Sequence, residues 1–165
     1  MKSGNDTSII VSSERSDDVL LRFAQLLDGQ SLICDELEKI ADTLPNAVDL
    51  QSCLRTAQKL LPLVKLAHDF EECELFPMLL IEAGQAAQHA ATIERLRYEH
   101  WGDEEFALDI HHALREFARK HDTAKVEALA WMLRGFFDGL RRHLAFDREY
   151  LIPILKKGGT IQSKI

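Results

Sequence analysis

The 165-residue chain is short of the residues that interrupt helices and of those that staple small folds. Its four prolines and eight glycines are too few for a fibrous or low-complexity chain. Cys34, Cys53 and Cys73 are odd in number and form no CxxC pair, which excludes a disulfide framework and a structural zinc knuckle. They are read as reduced thiols of a cytoplasmic protein. No apolar run approaches the roughly 20 residues of a membrane span. The opening residues, MKSGNDTSIIVSSERSDD, lack the apolar centre of a signal peptide. An excess of basic residues is missing too. With a net charge of −7 there is no electrostatic footprint for nucleic acid. The period-two alternation of strands occurs nowhere.

What is present is 46% apolar residues, distributed over four long segments. Residues 1–16 are expected to be flexible, 17–157 to form one domain, and 158–165 to be a loose tail. The first segment stops at Leu44-Pro45-Asn46. The second starts near Asp49 and runs to about Ala83, the third runs from about Ala86 to Lys120, and the fourth starts at a cap, Asp122, and ends near Leu155. Each segment carries an apolar stripe in steps of three and four, as bundle helices do. The stripe of the first passes through Phe23, Leu27, Gln30, Cys34 and Leu37. That of the second passes through Leu61, Val64, His68, Glu71 and Leu75. The third gives Leu96, His100, Glu104 and Ala107, and the fourth gives Leu140, His143, Asp147 and Leu151. The expected fold is all-α, an antiparallel up-down-up-down four-helix bundle.

Every stripe turns polar near its middle, and short connections bring these interruptions level. His68 and His100 are equidistant from Gly84, and His100 and His143 are equidistant from the His121–Asp122 junction. Gln30 and His68 are offset about Ala47 only by the extra residues of a longer loop. In addition, a carboxylate follows each histidine by one helical turn, on the same face: Glu72 after His68, Glu104 after His100, Asp147 after His143. Buried polar groups must find partners. Imidazole with carboxylate suits iron, with manganese or zinc as alternatives. A metal-free layer of histidine–carboxylate hydrogen bonds is the competing arrangement.

Two stretches repeat the pattern of histidine, acid, apolar pair and proline: HDFEECELFP from His68 and HLAFDREYLIP from His143. With RLRYEHWGDE between them and DELEKIADTLP before them, they resemble the hemerythrin-like, or HHE cation-binding, domains. The resemblance runs from about Asp18 to Leu155. It implies a four-helix bundle holding a non-haem iron centre, usually di-iron, with histidines from all four helices and two bridging carboxylates. It also implies binding or sensing of iron, oxygen or nitric oxide, or repair of iron centres. The fourth helix matches the family pattern, with His143 and Asp147 ten and six residues before Pro153. His100 matches the third-helix ligand. The first helix has Gln30 where the family has histidine. Counting back ten and six from Pro77 reaches Ala67 and Glu71, so His68 stands one place late and pairs with Glu71 or Glu72.

The expected metal ligands are His68, Glu72, His100, Glu104, His143 and Asp147, with Gln30, Cys34, Glu71 and Asp103 as neighbours or substitutes. The expected cofactor is iron, as one or two ions, and the expected role is binding or sensing rather than turnover of a large substrate. The partner is a metal ion or a small diatomic ligand, with a homodimer allowed and neither nucleic acid nor membrane. The alternative is a degenerate, metal-free bundle acting as an interaction or regulatory module. A ferritin-type oxidase is disfavoured because ExxH pairs are absent. His111 is expected to be a core or interface histidine. Cys34 is expected to be a buried thiol, with redox sensing signalled only by exposure and a low pKa. Trp101, Trp131, Phe136 and Phe137 are expected to be packing or dimer contacts.

Overall fold

A computed structural model describes the backbone of residues 6–82 and 86–161 and the side chains of residues 16–80 and 89–156. Every regular element among them is helical. Helix α1 spans Asp6–Thr43 and α2 spans Leu50–Phe70. A π-helical turn at Glu71–Leu75 continues α2 into α3, Phe76–Glu82. Helix α4 spans Ala86–Lys120. After a short 3-10 turn at Thr123–Lys125, α5 spans Val126–Phe146. A second π-helical turn, Asp147–Leu151, leads into α6, Ile152–Ile161. These elements make four long rods.

Capping explains where two of the rods begin. The Asp49 carboxylate accepts a hydrogen bond from the Gln51 N–H at 2.9 Å, and the Asp122 carboxylate accepts one from Ala124 N–H at 3.0 Å. The third rod ends at His121, which adopts a left-handed φ of 53° while its N–H bonds the Phe117 carbonyl at 2.9 Å. Helix α1 starts at Asp6, well before the expected position near Asp17. At the other end α6 runs past Gly158 and Gly159 to Ile161. Residues 1–5 and 162–165, the outer parts of the two expected loose ends, lie outside the described residues, as does the Gly84 turn.

The two π turns occupy equivalent places. Each begins at a buried carboxylate residue, Glu71 or Asp147, and each ends just before a proline dipeptide, Phe76-Pro77 or Ile152-Pro153. The N–H of Phe76 bonds the Glu71 carbonyl, and that of Ile152 bonds the Asp147 carbonyl. A helical proline donates no hydrogen bond, and its ring crowds the carbonyl four residues back. A widened turn immediately upstream accommodates both effects.

The rods meet along the apolar stripes. Phe23, Leu27, Leu37, Leu60, Val64, Ile110, Leu114, Leu133 and Leu140 are buried in one continuous core. The stripe shifts by one residue at two places in α2, where Leu60 and Cys53 are buried and Leu61 and Leu54 only partly so. Phe136 and Phe137 belong to the core, whereas Trp101 and Trp131 are exposed and pack on no core.

Polar contacts record which rods are neighbours. Between α1 and α2, Glu36 meets Thr56 at 2.9 Å and also Lys59. Between α2 and α4, His111 Nδ1 meets the Ala57 carbonyl at 2.6 Å, and Lys65 meets Glu104 at 2.9 Å. Between the fourth and first rods, Arg134 pairs with Asp42, Arg141 with Asp35 and Glu38, and Arg148 with Asp28. Between α4 and α5, the Phe106 ring meets Phe136 edge-on at 5.5 Å. Exposed ion pairs of this kind contribute little stability each. Their value is in fixing rotation and register, so that the four polar interruptions are level.

Candidate metal centre

Each rod delivers polar side chains to the layer by a local rule. Helix α1 brings Gln30, one turn before Cys34 on the inner stripe. The second rod brings His68 from the last turn of α2 and Glu71 from the first residue of its π turn. Helix α4 brings His100. The fourth rod brings His143 from the last turn of α5 and Asp147 from the start of its π turn. All six are buried, and Glu71 and Asp147 have no solvent exposure at all.

The rings lie close together. His68 and His100 stack with centroids 4.0 Å apart, and His143 lies 5.2 Å from His100 and 5.9 Å from His68. Phe76 stacks on the far side of His100 at 5.8 Å. Glu71 Oε2 is 3.4 Å from His100 Nε2 and 3.9 Å from His143 Nε2. Asp147 Oδ2 is 3.4 Å from His143 Nε2. These separations exceed a well-formed hydrogen bond. Donor atoms of Glu71, His100 and His143 all lie within 4.8 Å of one another, a spacing that can hold a metal ion.

The decisive feature is what these atoms lack. Among the described residues, the buried side-chain nitrogens and oxygens without a hydrogen-bond partner are both polar atoms of Gln30, Nε2 of His68 and of His100, both nitrogens of His143, and both oxygens of Glu71 and of Asp147. All of them belong to this one layer. An unsatisfied buried polar group costs about 1–3 kcal/mol, and more when charged. A cation in the layer would give the inward-facing carboxylate oxygens and imidazole Nε2 atoms a common partner; Gln30 Nε2, itself a donor, and His143 Nδ1, on the outer side, would stay outside it. Neutral imidazole nitrogens and carboxylate oxygens are the donors that iron, manganese or zinc accepts, so the donor set fits a transition-metal ion.

Glu72 and Glu104 take other positions than those expected. Glu72 Oε1 lies 2.8 Å from His100 Nδ1, and Glu104 Oε1 lies 3.2 Å from His68 Nδ1. Both approach from the partly exposed outer side. A carboxylate can only accept there, so Nδ1 carries the proton and the Nε2 lone pair points inward. For Glu104 the reason is its partner: Lys65 on α2 holds it at 2.9 Å and draws it off the inner face, whereas Asp147, at the same four-residue spacing from His143, turns inward. At the second rod the π turn starts at Glu71, and that residue rather than Glu72 takes the inward place. Asp103 stands behind His143, with Oδ2 3.8 Å from Nδ1. Cys34 is fully buried, and burial pushes its thiol up to about 12, the opposite of a redox-sensing thiol's signature.

The charges of the metal-free layer sort themselves by burial and proximity. Burial, helped by the facing His100 and His143 rings, pushes His68 down to about 3, so it is neutral. Burial alone would raise Glu71, but the approach of His100 and His143 outweighs it and holds the carboxyl at about 2. Burial and the charge of Glu71 push Asp147 up to about 8. For His143, burial alone would lower the value, while Glu71, Asp147 and Asp103 raise it to about 9. For His100 too, burial alone would lower the value, but Glu71 and Glu72 raise it. An ionised Glu71 therefore faces a protonated His143, and the Asp147 carboxyl keeps its proton.

The hemerythrin HHE cation-binding domain model matches residues 30–155. The chain belongs to the hemerythrin HHE cation-binding family. The match begins at Gln30, the first residue of the polar layer, and ends at Leu155 in α6, so it contains every layer residue. Membership accounts for the family's cation-binding character and for the four-rod architecture. No curated protein and no solved structure matches the chain. Within the hemerythrin HHE pattern, the carboxylates six residues before Pro77 and before Pro153 are the two that turn inward. The histidine expected ten residues before Pro77 is Ala67, which is fully buried. His68 beside it reaches the layer instead.

Proposed function

We propose that this HHE-family chain is an antiparallel up-down-up-down bundle over residues 17–157 that holds one non-haem iron and uses it to bind or sense oxygen or nitric oxide. The contact series support the topology. As numbers rise along α1 they fall along the fourth rod, from Asp28–Arg148 to Asp42–Arg134, and the same reversal relates α2 to α4. The ligands are Glu71, His100 and His143, joined by Asp147 and His68, with the Gln30 amide at the margin. The observation that carries this reading is the set of buried, partnerless donor atoms converging from four rods.

One ion rather than two is supported by Gln30 and Ala67, which stand where the family pattern has imidazoles. When bound, iron supplies an open coordination position and a redox couple suited to a diatomic ligand. The chain's own part is to fix the imidazoles. Glu72 and Glu104 hold Nδ1–H of His100 and His68, and Phe76 covers the outer face of His100. The apolar residues one turn away on either side, Val64 and Leu75, Leu140 and Leu151, keep bulk water out. A metal-free regulatory bundle is the rival reading, and Gln30 and Ala67 are its support as well.

Protein purified from iron-supplemented cells decides between them by metal analysis and absorption spectroscopy under argon, air and nitric oxide. The expected result is about one iron per chain, with a spectrum that changes on exposure to one of the gases. Absence of any transition metal would establish the metal-free bundle. Manganese or zinc in place of iron would keep the metal centre and remove gas sensing.

A further inference from the structure

The three histidines of the layer differ in what lies behind them. Behind His100, Glu72 takes up Nδ1 at 2.8 Å and is itself flanked by Arg97 at 3.7 Å. Behind His68, Glu104 lies at 3.2 Å and is held by Lys65 at 2.9 Å. Both outer faces are closed by a carboxylate and its counter-charge. Behind His143 there is instead a cavity of about 360 Å³ between α4 and α5, lined by Glu99, Asp103, Gly139 and Phe146 and bordered by Arg95 and Arg142.

His143 is aimed into this cavity without a bond. Its side chain is only 4% exposed, yet Nδ1 has no hydrogen-bond partner. The nearest oxygens, Asp103 Oδ2 at 3.8 Å and Glu99 Oε2 at 3.9 Å, stop short of it. Glu99 is partly neutralised by Arg95 at 3.7 Å, and the Arg95 guanidinium lies over the Phe146 ring at 5.4 Å. Asp103 pairs with no lysine or arginine among the described residues. The cavity thus reaches the one histidine of the three whose outer nitrogen has no hydrogen-bond partner, past a carboxylate that no lysine or arginine holds among the described residues.

We propose that this cavity is the port through which a divalent cation reaches the polar layer, with Asp103 as the carboxylate that first captures the hydrated ion. The port rests on the reading of the layer as a metal site. Its size suits the cargo. An ion with six waters occupies roughly 180 Å³ at about 30 Å³ per water, well within the cavity. Asp103 replaces one of those waters, and His143 stands between it and the Glu71–Asp147 pair on the Nε2 side.

The test is stopped-flow loading of the metal-free full-length protein with cobalt(II), followed through its visible ligand-field bands, in wild type, Asp103→Asn and Gly139→Leu. Gly139 lines the cavity, and a Cβ there meets only the end of Arg142, at 3.9 Å, so a larger side chain can start from this position and is expected to narrow the port. Both variants are expected to load about tenfold more slowly, with the final stoichiometry and spectrum of wild type. Loading at the wild-type rate in both would overturn the port. A changed final spectrum or lost cobalt in Asp103→Asn would also overturn it, by making Asp103 a ligand. Failure of wild type to take up cobalt at all would overturn the metal site beneath it, and circular dichroism of each variant separates these outcomes from misfolding.

Discussion

At the scale of single residues, the two neighbouring glutamates of the second rod have opposite tasks. Glu71 is fully buried and partnerless, whereas Glu72 holds His100 Nδ1 from a partly exposed position. Glu71→Ala removes a ligand and is expected to abolish stoichiometric metal binding in a competitive chelator titration. Glu72→Ala removes only the orienting partner, and the same titration should show affinity lowered about 10–100-fold. Equal losses in the two variants would contradict the assignment. The protonation of the layer gives a second residue-scale expectation. With Asp147 held at about 8 and His143 at about 9 in the metal-free protein, both carry protons at pH 7 that a metal must displace. Binding therefore releases protons, and affinity rises with pH until about 9 and then levels. His68, already neutral, contributes none. Calorimetric titration in buffers of different ionisation enthalpy measures the release directly, and pH-independent affinity between pH 6 and 9 would contradict it.

At the scale of elements, the stripes were readable because helical spacing alone decides which residues share a face. Phe23, Leu27, Leu133, Phe136 and Leu140 are buried as their spacing requires. The stripe of the second rod passed through Glu71, which is the buried carboxylate; it was the four-residue spacing from His68 that pointed to Glu72 as the ligand instead. A π turn adds a residue to the repeat, and its position depends on how the backbone accommodates a downstream proline rather than on side-chain periodicity. The usable signal was the equal distance from Glu71 to Pro77 and from Asp147 to Pro153, six residues in each copy. Outer orientation by Glu104 was also hidden, because the sequence does not show which neighbour a side chain leans toward. If the proline sustains the π turn, Pro153→Ala lets regular pairing return and rotates Asp147 out of the layer. Metal affinity is then expected to fall about tenfold or more, with unchanged helical circular dichroism. The caps make a simpler expectation. Asp49→Ala and Asp122→Ala should each destabilise the protein by about 1 kcal/mol in urea unfolding without altering metal binding.

At the scale of the whole molecule, four apolar rods carry a polar disc through their middle, and that disc is a cost to folding that only a partner can offset. Its level placement was legible from equal distances to the chain turns. The identity of the metal was not, because imidazole and carboxylate suit several ions. A cation that binds the folded chain alone stabilises it by about 2.7 kcal/mol at a hundredfold excess over the dissociation constant. The most direct measurement is therefore metal-dependent thermal unfolding of chelator-stripped wild type, His100→Ala and His143→Ala, with bound metal counted after dialysis. A cation-holding layer predicts about one equivalent bound to wild type, a raised unfolding temperature on adding metal, and neither effect in the two variants. Wild type that binds no metal and unfolds at the same temperature with and without it would contradict the claim that the buried layer is a cation site.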